Sequence, residues 1–264
     1  MSDTLQRIER GEFFLIAGPC AIESEQLCLD VAGRVAELAR KYNLPFIFKS
    51  SYRKANRTSA GSYSGPGLEA GLKVLRKVKS QFDVSILTDI HETTEIEAVA
   101  EVADVLQIPA FLCRQTELVV RAAATGKWIN IKKGQFLAPD DMARVAAKAN
   151  SRKVMLTERG STFGYHNLVI DFRSLVIMRR SGYKVVFDAT HSLQLPGGGD
   201  GISIGQPEFV IPIARAATAV GIDGLFVETH PNPAEALCDA EVMLPLDRMP
   251  ELLEAAIRIK EAHR

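Results

Sequence analysis

The sequence lacks an excess of charge of either sign. Its 264 residues contain 32 Lys and Arg against 32 Asp and Glu, so the formal net charge is zero. Nothing in this balance indicates attraction to nucleic acid or to an anionic membrane surface. The chain also has no apolar run of transmembrane length and no apolar core in its first twelve residues. We therefore expect a cytoplasmic protein with no nucleic-acid partner and no membrane partner.

Cysteine is sparse, and no two cysteines have the close spacing of a metal or redox motif. The four cysteines lie far apart at Cys20, Cys28, Cys113 and Cys238. In a reducing compartment this spacing argues against a disulfide framework and leaves at least one thiol free for other chemistry.

Short apolar runs alternate with longer amphipathic segments, the order typical of parallel strands joined by helices. The predicted strands are Phe14 to Gly18, Phe46 to Lys49, Ser85 to Asp89, Val105 to Ile108, Trp128 to Lys132, Val154 to Glu158, Lys184 to Asp188 and Gly224 to Glu228. The predicted helices are Ser24 to Lys41, Gly67 to Ser80, Thr93 to Val102, Thr116 to Ala124, Asp140 to Ala149, Asn167 to Arg180, Glu208 to Val220 and Met249 to His263.

Eight such units without a Gly-, Ser- or Pro-rich linker predict one α/β domain over residues 1–264, a single (β/α)₈ TIM barrel. A doubly wound open sheet is the alternative. It is disfavoured because the units stay regular to the last helix and no G-x-G-x-x-G follows the first strand.

Polar or reactive side chains stand at or just past the carboxyl end of every predicted strand. They are Cys20, Lys49, Asp89 with His91, Gln107, Lys132, Glu158 with Arg159, Asp188 with His191, and Glu228 with His230. In a closed barrel these ends meet at one mouth, where active sites are built. The alternative is that polar residues merely end strands, but their recurrence in all eight units favours an active site.

Cationic and hydroxyl side chains form two groups at this mouth. Lys49, Lys132 and Arg159 follow different strands and could hold one small anion, whereas Asn56, Arg57 and Thr58 share one loop and could hold a second phosphate. Asp89 could bind hydroxyls. The loop alone admits a solvated basic surface as the alternative. Two anion sites indicate condensation or isomerisation of small phosphorylated metabolites.

A thiol, an imidazole and two carboxylates at the mouth form a candidate metal site, made of Cys20, His191, Glu228 and Asp239. This mixed ligand set suits Zn²⁺, Fe²⁺, Mn²⁺ or Co²⁺ better than Mg²⁺ or Ca²⁺. The alternatives stay open at this point: a buried Cys that packs as a small hydrophobe and a His that is only hydrogen-bonded. Cys238 is a competing thiol.

Eight segments in chain order resemble one enzyme family. They are AGPCAIES (Ala17 to Ser24), FKSSYRKANRTS (Phe48 to Ser59), TDIHE (Thr88 to Glu92), LQIPAFLCRQT (Leu106 to Thr116), NIKKGQFL (Asn130 to Leu137), LTERGSTFGYHNLV (Leu156 to Val169), FDATHSLQLPGG (Phe187 to Gly198) and VETHP (Val227 to Pro231). The chain is similar in these segments to the 3-deoxy-D-manno-octulosonate 8-phosphate synthases. It resembles their metal-dependent class, because Cys20 stands where the metal-independent class has Asn.

This resemblance implies a TIM barrel that condenses phosphoenolpyruvate with D-arabinose 5-phosphate and water for lipopolysaccharide synthesis, as a homotetramer. It implies that phosphoenolpyruvate is held by Lys49, Ser51, Lys54, Gln107, Lys132 and Arg159, with His191 near its phosphate. It implies that arabinose 5-phosphate is held by Asn56, Arg57, Thr58 and Asp89, and a divalent metal by Cys20, His191, Glu228 and Asp239. The expected catalytic residues are Lys49, Lys54, Lys132, His191 and Asp239.

Two alternatives accompany this expectation: a related heptulosonate 7-phosphate synthase that uses erythrose 4-phosphate, and a non-catalytic phosphosugar-binding barrel. KANR after the second strand favours the octulosonate family over its relative, which has a GPRTS-like loop there. The loop from Gly197 to Phe209 departs from the family, because Gln206 and Pro207 stand where the family places an arginine. We expect this departure to alter closure of the site and affinity for the sugar.

Overall fold

The computed structural model describes residues 2–55, 61–162, 166–196 and 204–262. Eight parallel strands form its centre: β1 (Phe14–Gly18), β2 (Phe46–Lys49), β3 (Ser85–Asp89), β4 (Val105–Ile108), β5 (Trp128–Lys132), β6 (Val154–Glu158), β7 (Lys184–Asp188) and β8 (Gly224–His230). Each strand pairs with the next along the chain, and β1 also pairs in parallel with β8. The sheet is therefore closed, which confirms the predicted TIM barrel.

Nine helices are described, most of them in the connections between barrel strands: α1 (Asp3–Glu9), α2 (Glu25–Lys41), α3 (Leu68–Phe82), α4 (Ile96–Val102), α5 (Thr116–Ala124), α6 (Asp141–Ala147), α7 (Arg173–Arg179), α8 (Val210–Val220) and α9 (Met249–Ala262). The Ser24 side chain caps α2 by accepting a hydrogen bond from the Leu27 amide. Among these helices, none combines the length and the apolar character that a membrane span requires.

Two features differ from the sequence prediction by more than three residues. Helix α1 was not predicted, and it packs Leu5 and Ile8 into the apolar cluster inside the barrel. The helix predicted from Asn167 begins only at Arg173, because Leu168–Val169 pairs antiparallel with Ser161–Thr162. The predicted strands are otherwise reproduced, with β8 extended to His230.

Alternate residues of each strand face opposite sides of the barrel wall, as the strand period of two requires. In β5, Trp128 joins the interior cluster, whereas Ile129 and Ile131 belong to the larger core between the strands and the helices. The amino end of the interior is thus filled by apolar side chains, and the next inward positions along the strands are polar. This division places the polar side chains at the carboxyl end of the barrel.

Candidate active site

A cavity of about 330 Å³ opens at the carboxyl ends of the strands. Its wall combines charged and polar side chains from seven connections with the apolar segment from Pro109 to Leu112. The ionisable and amide residues in the wall are Lys49, Lys54, Asp89, His91, Gln107, Lys132, Gln135, Arg159, His191 and Glu228. The geometry therefore brings together side chains that are far apart in the sequence.

Lys49 lines the cavity and is 1% exposed. Its ammonium donates hydrogen bonds to Glu228 Oε1 at 2.5 Å and to the Cys20 carbonyl at 2.8 Å. Burial disfavours the charged form, but the Glu228 carboxylate outweighs it and raises the pKa of Lys49. Lys49 is thus held as a cation. Gly18 allows the Lys49 backbone to lie this close to β1, because a Cβ at position 18 would lie 2.0 Å from the Lys49 carbonyl oxygen.

A buried triad joins β5 to the turn after β7. Asp188 Oδ2 lies 2.7 Å from Lys132 Nζ and 2.8 Å from His191 Nδ1. Asp188 Oδ1 accepts hydrogen bonds from the Thr190 amide at 3.2 Å and the His191 amide at 2.9 Å. Burial opposes ionisation, but His191 and Lys132 hold the pKa of Asp188 well below its usual range. Asp188 therefore orients two predicted site residues.

Arg159 follows β6 and presents a partly unsatisfied guanidinium to the cavity. Its Nη2 donates to Gln194 Oε1 at 2.5 Å, whereas its buried Nη1 meets no acceptor among the residues that the structure describes. Glu158 Oε1 accepts hydrogen bonds from the amides of Arg159 and Gly160, at 3.0 and 2.7 Å, and lies 3.5 Å from Lys133 Nζ. A guanidinium with a free buried donor suits an oxyanion.

Asp89 also lines the cavity. It accepts hydrogen bonds from Ser51 Oγ and from Gln107 Nε2, the latter at 2.5 Å. Burial opposes ionisation, but Lys49 and Lys54 lower the pKa of Asp89. The cavity thus contains the carboxylates Asp89 and Glu228 beside several cations, which suits a ligand with both oxyanions and hydroxyls.

Three predicted metal ligands converge: Cys20, Glu228 and Asp239 each offer one ligand atom, and these atoms lie within 4.8 Å of one another. Cys20 Sγ lies 3.0 Å from Asp239 Oδ2. Buried Glu228 Oε2 accepts no hydrogen bond in the described part of the chain, and His191 Nε2 lies 3.4 Å from it and 3.9 Å from Asp239 Oδ2. A thiol and two carboxylates, one of which has a buried oxygen that accepts no hydrogen bond from the described residues, fit a transition-metal ion.

The structure does not place every predicted residue. Asn56, Arg57 and Thr58 lie outside the described residues, as do residues 197–203 of the atypical loop. Lys54 is described, and its Nζ lies 3.9 Å from Glu228 Oε1.

Sequence reasoning gave no role to three polar groups near the cavity. It noted Asp188 only as a strand-end residue, and it did not single out Asn130 or buried Lys133. For Asp188 and Asn130 the signal in the sequence is a polar residue at an inward position of an otherwise apolar strand, whereas Lys133 follows the end of β5 and carries no such signal. Using that signal requires the register of the barrel.

Known proteins resemble this chain over nearly its whole length. Residues 6–263 match the family described as the DAHP synthetase I family. A Legionella pneumophila protein is 57% identical over 254 residues, which cover 95% of this chain and 93% of that relative. A Methylococcus capsulatus protein is 60% identical over 244 residues (91% and 86%), and one from Xanthomonas euvesicatoria is 60% identical over 249 residues (93% and 90%). All three relatives are called 2-dehydro-3-deoxyphosphooctonate aldolase.

Proposed function

The chain belongs to the DAHP synthetase I family, and we propose that its barrel mouth condenses phosphoenolpyruvate with D-arabinose 5-phosphate and water. The observation that carries this proposal is the name shared by relatives at 57–60% identity, which denotes an eight-carbon phosphorylated acid. Three carbons from phosphoenolpyruvate and five from the sugar give that product. Erythrose 4-phosphate would give seven carbons, so the heptulosonate alternative is not favoured. The enzyme is a carbon–carbon bond-forming transferase of lipopolysaccharide synthesis.

The atoms of this reaction balance without a redox partner. Carbon 3 of phosphoenolpyruvate bonds to the aldehyde carbon of the sugar, and the aldehyde oxygen takes up a proton. Water adds its oxygen to carbon 2, where positive charge develops, and the bond between carbon 2 and the phosphate oxygen breaks to release inorganic phosphate. Of the two protons that the water loses, one goes to the aldehyde oxygen and the other to the departing phosphate. Both developing charges require groups that are already oriented before the reaction.

The phosphoenolpyruvate would lie between Lys49, Lys132 and Arg159 in this proposal. The ammonium groups are fixed by Glu228 and Asp188, and Arg159 Nη1, which meets no acceptor among the described residues, supplies a donor for an oxyanion. These contacts hold the ligand's negative charge in a water-poor site and keep carbon 3 aimed at the sugar. We assign Ser51, Lys54 and Gln107 to the same substrate, as the resemblance implies.

The sugar would lie on the Asp89 side of the cavity. The Asp89 carboxylate can accept hydrogen bonds from sugar hydroxyls, and the apolar segment from Pro109 to Leu112 lines the same cavity. We assign the sugar phosphate to Asn56, Arg57 and Thr58, which follow Ala55 of the cavity wall.

We propose that Cys20, His191, Glu228 and Asp239 hold one divalent ion, one of Zn²⁺, Fe²⁺, Mn²⁺ or Co²⁺. The close group of three ligand atoms supports this assignment, as does Glu228 Oε2, which accepts no hydrogen bond from the residues that the structure describes. When bound, such an ion would lower the pKa of water or orient it near the reacting carbons. His191 is held by Asp188 through Nδ1, so its Nε2 stays turned toward Glu228 and Asp239.

We also propose that residues 1–264 act as one catalytic domain in a cytoplasmic homotetramer. Phe111, which also lines the cavity, and Phe136 support an interface between copies, because these large apolar side chains are 56% and 57% exposed. Light scattering of the purified protein tests the assembly, and a monomer at micromolar concentration would contradict it.

The experiment for the reaction measures phosphate release from phosphoenolpyruvate with arabinose 5-phosphate or erythrose 4-phosphate, followed by the mass of the product. We expect release with the five-carbon sugar and an eight-carbon product. Preference for erythrose 4-phosphate would support the heptulosonate alternative. Absence of release with either sugar, from protein that still binds phosphosugars, would support a binding barrel.

A further inference from the structure

A polar layer lies inside the barrel between its apolar floor and the cavity. Along β3 to β6 the floor is formed by one inward residue per strand: Leu87, Val105, Trp128 and Met155. Two positions further along the same strands, the inward residues are Asp89, Gln107, Asn130 and Thr157, all of them buried. The strand period of two places these four side chains on the inner face.

These four side chains form an unbroken chain of hydrogen bonds. Thr157 Oγ1 donates to Asn130 Oδ1 at 2.6 Å, and Asn130 Nδ2 donates to Gln107 Oε1 at 2.8 Å. Gln107 Nε2 donates to Asp89 Oδ1 at 2.5 Å. The register supports two of the contacts directly, because Asp89 pairs with Gln107 and Gln107 pairs with Asn130 on neighbouring strands. Thr157 pairs with Lys132 and reaches Asn130 diagonally.

This row of hydrogen bonds has only one arrangement of donors and acceptors in which every group is paired. An ionised carboxylate accepts hydrogen bonds and cannot donate, so Asp89 requires a donor from the Gln107 amide. Gln107 Oε1 then requires a donor from Asn130, and Asn130 Oδ1 in turn requires a donor. The Thr157 hydroxyl provides it. Without this hydroxyl a buried amide oxygen is left unpaired, and the least costly response is to rotate one or both amides.

The two ends of this row of hydrogen-bonded side chains differ in their access to ligand. Asp89 and Gln107 line the cavity, whereas Asn130 and Thr157 are 0% exposed and lie outside the cavity wall. We propose that Asn130 and Thr157 are positioning residues that hold the Gln107 amide nitrogen toward Asp89. This inference rests on the proposed function, in which Gln107 and Asp89 bind the two substrates.

The fixed amide has a direct consequence for binding. Gln107 Nε2 carries two hydrogens, of which one goes to Asp89, so the second stays available to an oxyanion in the cavity. A rotated Gln107 amide would turn its oxygen toward the Asp89 carboxylate and toward the bound anion. Both contacts would then be repulsive, so the effect falls on substrate affinity as well as on turnover.

The test compares Thr157→Val, which removes the hydroxyl while keeping the shape, with Thr157→Ser, which keeps the donor. Thr218→Val is the matched control, because Thr218 is equally buried, donates to the Ala214 carbonyl at 2.7 Å and lies on α8 outside the cavity wall. For each variant we would measure the phosphoenolpyruvate dissociation constant by calorimetry, kcat and KM for both substrates, and the thermal midpoint.

We expect Thr157→Val to weaken phosphoenolpyruvate binding by about fivefold to about a hundredfold, the fold-change that corresponds to a buried polar group left without its partner. Thr157→Ser should restore binding to within about twofold, because the donor that pairs the amide oxygen is kept. Thr218→Val should lower the thermal midpoint and leave the dissociation constant unchanged.

A dissociation constant for Thr157→Val equal to that of Thr218→Val would overturn the positioning role. If Thr157→Val does not fold, Thr157→Ala is measured against the same control with the same two outcomes. A wild-type protein that binds phosphoenolpyruvate but releases no phosphate would contradict the proposed function. The comparison of dissociation constants would still decide the role of Thr157.

Discussion

Replacing Asp188 with asparagine should damage both the fold and the site. The carboxylate is 0% exposed and is shared by Lys132 Nζ at 2.7 Å and His191 Nδ1 at 2.8 Å. The amide of the Asp188→Asn variant would be neutral, so the Lys132 ammonium would remain as an uncompensated buried charge. Removing one partner of a buried ion pair typically costs about 3–5 kcal/mol.

This cost converts into a measurable change in melting temperature. For chains of this size a loss of about 1 kcal/mol lowers the midpoint by about 2–4 °C, so Asp188→Asn should melt roughly 6–20 °C below wild type. Differential scanning calorimetry at about pH 7 measures the shift. Activity at a temperature where the variant is folded should fall about tenfold or more, because Lys132 and His191 lose their common anchor.

The control is Asp171→Asn, the same substitution in the exposed pair of Asp171 with Arg173. It should leave the midpoint nearly unchanged, since solvent-exposed ion pairs contribute little. Equal midpoints for Asp188→Asn and wild type would refute the reasoning, because the carboxylate would then not be compensating buried cations.

Arg159→Lys should raise the KM for phosphoenolpyruvate about tenfold, because lysine lacks the planar donor pair that serves Gln194 and the anion together; an unchanged KM would place the anion elsewhere. Cys20→Ala should lower the metal retained per chain, measured by plasma mass spectrometry after dialysis, whereas Cys28→Ala, which removes a buried thiol outside the ligand group, should retain the wild-type amount. Tyr52→Phe should lower the free energy of unfolding by about 1.5–3 kcal/mol at pH 7, because the Tyr52 hydroxyl donates to the Glu95 carboxylate at 2.7 Å. Burial raises the pKa of Glu95, but the hydrogen bond from Tyr52 and further contacts outweigh burial and lower it. The stabilisation is therefore present above the unfolded pKa of about 4.3 and is lost as pH falls through the folded pKa. A penalty for Tyr52→Phe that stayed constant in urea titrations from pH 7 to pH 3 would contradict this assignment.

The barrel was predictable because its strands are short apolar runs that end in polar residues. Phe46–Lys49 and Trp128–Lys132 are examples whose bounds the sequence predicted correctly. Helix α1 was missed because its seven residues bury only Leu5 and Ile8, too few for a periodic pattern. The start of α7 was misplaced because the pairing of Leu168–Val169 depends on a partner strand that local pattern does not reveal.

The site was predictable only in part, for a related reason. Lys49, Lys132 and Arg159 stand at strand ends, so the barrel topology alone brings them together. Asn130 and Thr157 lie inside strands, and their role depends on which side chain faces them across the register. The proposed metal ligand Asp239 lies in a loop, and its proximity to Cys20 comes from tertiary folding that spacing cannot supply.

The most direct test of the account follows the bridging oxygen of phosphoenolpyruvate. Substrate labelled with ¹⁸O between carbon 2 and phosphorus is turned over with arabinose 5-phosphate, and the phosphate and the sugar acid are analysed by mass spectrometry. Attack of carbon 3 on the aldehyde with water at carbon 2 predicts that the label leaves in inorganic phosphate beside an eight-carbon product. Label absent from the released phosphate would mean that the phosphorus–oxygen bond breaks instead, and it would contradict the condensation assigned to this barrel mouth.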